Sequence, residues 1–69
     1  MNKFYEVIGL DGLNKDDLRD DIIHYTTFDE NGVHERYIIR LNIIEAFIMK
    51  MRLLKFNLQY DTRIGLISV

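Results

Sequence analysis

The stretch from Asn42 to Phe56, NIIEAFIMKMRLLKF, constrains this chain most, because no other segment carries a helical pattern of that length. Asn42 is a good N-cap, and Glu45, three residues on, can reach back to the Asn42 N–H, so a capping box marks where the helix begins. At 100° per residue, Ile43, Ile44, Phe47, Ile48, Met51 and Leu54 gather on one broad face. That face is the expected core side of a dominant helix at about 43–55. Lys50, Arg52 and Lys55 in its second half, and Glu45 in its first turn, match the helix dipole.

A second apolar stripe, Ala46, Met49 and Leu53, runs along the same helix at i, i+3 and i+7. A helix apolar on two sides needs cover on both. A neighbouring loop or short helix would supply it from within the fold; otherwise the stripe is a surface for a second copy or another protein. Ala46, Met49 and Leu53 are therefore the candidate dimer or partner interface.

Sixty-nine residues make a single domain, 1–69, and a chain of this size buries only about 60% of the surface it exposes when unfolded. Oligomerisation would help it. Without cysteine there is neither a disulfide staple nor a thiolate metal site, so a reducing compartment is the default. No stretch reads as a leader peptide or membrane span, and a soluble cytoplasmic protein is expected. Residues 1–35 set three cations against nine carboxylates, −6, while the rest, with six against two, carry +4. That asymmetry suits two solvated faces of opposite sign, or a partner met by one of them. Abundant Ile, Asn, Lys, Tyr and Phe, with no Pro and a single Ala, is the bias of AT-rich coding sequence, expected of a low-GC bacterium or its phages.

KFYEVIGL, residues 3–10, reads as a strand apolar on both sides that stops at the Asp11-Gly12 turn. Asn14 can cap a short helix from Lys15 to about Asp20, with Asp16 and Asp17 in its first turn. The segment IIHYTTFDENGVHERYIIRL is a hairpin. A two-residue Asn31-Gly32 turn would oppose Phe28 to Glu35. A type I turn over Asp29 to Gly32 would oppose Phe28 to His34 and Tyr25 to Tyr37. The second is preferred, because it gathers Ile23, Tyr25, Tyr37, Ile39 and Leu41 on one face and sends His24, Thr26, Arg36 and Arg40 to the other. After the long helix, Leu58, Tyr60, Thr62, Ile64 and Leu66 alternate with polar residues and Gly65 as a last strand. The order β-α-β-β-α-β is that of the ferredoxin-like split βαβ fold, an α+β class with an antiparallel sheet. If residues 14–20 form only a loop, the alternative is a β-meander crossed by one helix.

No constellation supplies the roles an enzyme requires. Ser68, near the C-terminal end, has no frame to hold a base against it. His24 and His34 lie more than one row apart in either register, so no metal site is expected. Gly9 and Gly12 lack the spacing of a phosphate cradle, and no cofactor is implied. Asp16, Asp17, Asp20 and Asp21 form an acidic patch that can face a basic partner. His24, Arg36 and Arg40 would make a small nucleic-acid face, although the third strand lacks the paired aromatics of an RNA-binding sheet and the chain is net acidic. The reading this supports is a non-enzymatic regulator or inhibitor that binds another protein, with a homodimer expected. Its alternative is a nucleic-acid-binding module.

Overall fold

Alternation along β1 (Lys3–Ile8) sorts Tyr5 and Val7 to one side, both buried, and Phe4 and Ile8 to the other, both exposed. In the computed structural model, which describes residues 2–10 and 12–69, β1 lies inside a four-stranded antiparallel sheet. Its partners are β2 (Ile23–Asp29), β3 (Gly32–Leu41) and β4 (Gly65–Ser68), in the order β2-β3-β1-β4. One helix, α1 (Ile43–Tyr60), packs over β3 and β4. The result is a small α+β plate of 36 × 32 × 18 Å, one sheet and one helix thick.

The expected first helix is absent. Lys15–Asp17 form a single 3-10 turn, started by Asn14 Oδ1 accepting the Asp16 N–H at 3.0 Å. With three residues in the turn and a half-buried Leu18 behind it, docking does not repay the cost of nucleating a longer helix. The meander alternative is also overturned, since it would set β1 beside β2, whereas β1 pairs with β3 and β4. Of the Asp11-Gly12 turn, Asp11 lies outside the described residues, and Gly12 takes φ +91°.

The hairpin adopts neither expected register. Phe28 opposes Val33 and His24 opposes Tyr37, with Glu30 and Asn31 at the tip and Asp29 opposite Gly32. Asp29 Oδ1 accepts the Asn31 N–H at 2.8 Å, which closes the tip one residue tighter than the preferred arrangement. A one-residue shift reverses the faces of a whole strand. His24, Thr26 and Phe28 therefore share the side of Tyr37, Ile39 and Leu41, while Ile23, Tyr25 and Thr27 share that of Arg36, Ile38 and Arg40. No side chain of β2 is buried, because α1 leaves that edge of the sheet uncovered.

The last strand is also shorter than its alternation suggests. Leu58 and Tyr60 belong to the final turns of α1, and β4 begins only at Gly65. Over so few residues an alternating pattern does not distinguish strand from helix, and nothing before Asp61 breaks the helix. Asp61 ends it with left-handed φ 52°, ψ 46°, its N–H bonding Asn57 O.

The core is one cluster on the helix side of the sheet. Tyr5, Val7, Ile39, Leu41 and Leu66 meet Ala46, Met49 and Leu53 of α1, and Leu10, Ile22 and Ile64 close the edges, each at most 8% exposed. Gly9, at φ +80°, lets the end of β1 pass the segment leading into β4, where a Cβ would overlap the Arg63 carbonyl oxygen.

Candidate protein-interaction surface

α1 starts where the capping box places it: Asn42 Oδ1 accepts the Glu45 N–H at 2.7 Å, and Glu45 Oε1 accepts the Asn42 N–H at 3.2 Å. Leu41 is fully buried one residue before the cap, and at the far end Asn57 binds the backbone of Ile64. The two anchors fix how far the helix is rotated about its axis. Ala46, Met49 and Leu53 come to rest on the sheet, each 4% exposed, with Phe56 half-buried beside them.

The two stripes of the helix are thus exchanged relative to expectation. The candidate interface, Ala46, Met49 and Leu53, is the seat of the helix on its own sheet. The supposed core face points outward: Ile43, Ile44, Phe47, Ile48, Met51 and Leu54, joined by Leu58, are 45–80% exposed. Periodicity establishes that both stripes exist but not which one faces in, and the greater hydrophobicity of one does not decide it. The signal that distinguishes them is Ala46, since close approach of a helix to a sheet favours a small residue at the contact. Outward stripe and seat lie on nearly opposite sides of α1; the exposed cations Lys50 and Arg52 flank the outward one, and Lys55 lies within its arc near the C-terminal end. Glu45 is half-buried in the capping box.

The acidic patch is only partly free. Asp16 pairs with Lys15 at 3.0 Å, and Asp21 takes a two-pronged bond from Arg19 at 2.9 and 2.8 Å. Asp17 and Asp20 are exposed, and among the described residues neither has an ion-pair partner. Two cations against four carboxylates leave the segment at −2, a solvated loop with local compensation.

The nucleic-acid set does not assemble. The register puts His24 on the helix side of the sheet, stacked on Tyr37 with ring centroids 4.7 Å apart, and Arg36 and Arg40 on the other. Arg36 is held by Glu6, with one of the two bonds at 2.8 Å, and the hydrogen bond and charge of that carboxylate raise its pKa further above the ordinary arginine value. Arg40 alone is left to offer a phosphate contact from the original trio. His34 bonds Asp29 at 3.0 Å beside the hairpin tip, and His24 lies 3.6 Å from Glu35. Among the described residues no three potential metal ligands converge.

The open side of the sheet carries a second, more interrupted set of apolar side chains. Phe4, Ile8, Ile23, Tyr25 and Ile67 surround the Glu6–Arg36 pair. The ion pair in their midst makes this face less uniformly apolar than the outward stripe of α1. No helix of the described residues is long and apolar enough to cross a membrane. Compared with known proteins, the chain matches no family model, no curated protein and no solved structure.

Proposed function

We propose that this chain is a small, non-enzymatic regulator of the cytoplasm that works by binding protein, and that its contact surface is the outward face of α1. The observation that carries this is the outward stripe itself: seven large apolar side chains, none less than 45% exposed, in one continuous band along the helix. Contiguous apolar patches on monomeric proteins rarely exceed about 300–600 Å², and patches of that size or above, edged by polar groups, mark interaction sites. Lys50 and Arg52 provide such an edge. The strand order, with β1 and β3 central, supports a ferredoxin-like lineage in which the first helix has shrunk to a turn.

A photo-crosslinking residue in place of Met51, with one in place of Thr26 as control, tests the reading in cells that produce the full chain. Protein adducts from position 51 that disappear on Phe47→Glu are the expected result. Adducts formed equally from position 26, adducts to lipid alone, or none at 51 would overturn it.

A further inference from the structure

The partner on the outward stripe can be named from the spacing of the stripe, an inference that rests on the protein-binding reading above. Ile43, Phe47, Leu54 and Leu58 follow one another at intervals of four, seven and four residues, all four 63–80% exposed. The series reads the same from either end. Its midpoint falls between Lys50 and Met51, and Met51, 57% exposed, lies on the same arc. The four lie within about 60° of one another around the helix, and at 1.5 Å per residue the two ends are about 22 Å apart.

We propose that the occupant is a second copy of this chain, docked through an antiparallel, two-fold pair of α1 helices. A two-fold axis at the midpoint places Ile43 on Leu58 of the second copy and Phe47 on its Leu54, with the two Met51 side chains meeting near the axis. The Ile43–Leu58 and Phe47–Leu54 contacts then each occur twice and the Met51 contact once, as an isologous interface requires. The size fits as well: at roughly 200 Å² per large residue, Ile43, Phe47, Met51, Leu54 and Leu58 expose roughly 700 Å², against about 800 Å² contributed per partner to a standard interface. Lys50 lies at the flank near the axis, where its flexible stem carries the ammonium out into water. A 69-residue chain with a thin core gains stability from such an association.

The chain contains no cysteine, so single cysteines report the geometry directly. Under mild oxidation, Met51→Cys should yield a covalent dimer on a non-reducing gel. A mixture of Ile43→Cys and Leu58→Cys should yield the mixed dimer, whereas Ile43→Cys alone should not pair with itself. Light scattering on the unmodified chain should give a dimer that becomes a monomer on Phe47→Glu but not on Ile23→Glu, a change on the open sheet face. Self-pairing of Ile43→Cys without the mixed product would indicate parallel helices and overturn the proposal. So would a dimer that survives Phe47→Glu, or a monomer at every concentration. A monomer that still crosslinks from position 51 to another protein would remove the second copy but leave the protein-binding reading standing; a monomer with no such adduct would remove both.

Discussion

The side chain of Asn57 pairs with the backbone of Ile64 in both directions, donating from Nδ2 to Ile64 O at 2.8 Å and accepting the Ile64 N–H at Oδ1 at 2.9 Å. The same Oδ1 accepts the Thr62 hydroxyl at 2.8 Å. One amide on the last turns of α1 thereby replaces the strand partner that Ile64 lacks and fixes the path into β4. Asn57→Ala would leave three half-buried polar groups to find water or go unpaired, at a cost of about 2–4 kcal/mol. In a domain of this size that lowers the melting temperature by about 15–30 °C. Asn57→Asp, which keeps the acceptor and loses the donor, should fall between. A thermal melt by circular dichroism checks both, and an unshifted alanine variant would show that the clamp contributes nothing.

Leu53 and Leu54 are neighbours in sequence with opposite fates. Leu53 is 4% exposed against the sheet, and Leu54 is 63% exposed on the outward stripe. Leu53→Ala should cost about 2–4 kcal/mol in urea unfolding at every protein concentration, because it opens a cavity in the core. Leu54→Ala should change the stability of dilute protein by no more than about 0.5 kcal/mol. With rising concentration its deficit should grow, since its contribution comes through association. Equal, concentration-independent losses would mean that both stripes are core.

Gly9 and Gly12 both have positive φ, +80° and +91°, but differ in their surroundings. Next to Gly12 there is open space, so Gly12→Ala meets only backbone strain and should cost about 1 kcal/mol. At Gly9 a Cβ collides with backbone at Arg63, which cannot move without displacing the clamp around Ile64. Gly9→Ala should cost at least twice as much as Gly12→Ala, about 2–3 kcal/mol. Chemical denaturation of the two variants side by side settles the ranking.

Much of the secondary structure was legible because it is encoded locally. The start of α1 is written in Asn42 and Glu45, the capping box that forms as expected. The existence of the hairpin is written in two β-rich runs around Asp29–Gly32, and the first strand in its aromatic and β-branched residues. The end of α1 was less legible. The Asn57–Ile64 bonds that secure the exit from the helix join residues whose relation appears only once the turn has formed.

The sequence by itself determined that α1 has two apolar stripes, that a hairpin precedes it, and that no disulfide braces the fold. The tertiary structure decided which stripe is core and which side of the sheet each β2 residue faces, and with them the candidate surface. The physical reason is the same in both cases. A helix apolar on opposite sides can be seated by either stripe, and a hairpin shifted by one residue exchanges its faces, so local pattern leaves each with two solutions of similar hydrophobicity. The choice was made by contacts that exist only once the chain has folded: Leu41 buried under the helix and the Asn57–Ile64 clamp position α1 on the sheet, and the pairing of β2 with β3, closed at the tip by the Asp29–Asn31 bond, sets which way each β2 side chain faces.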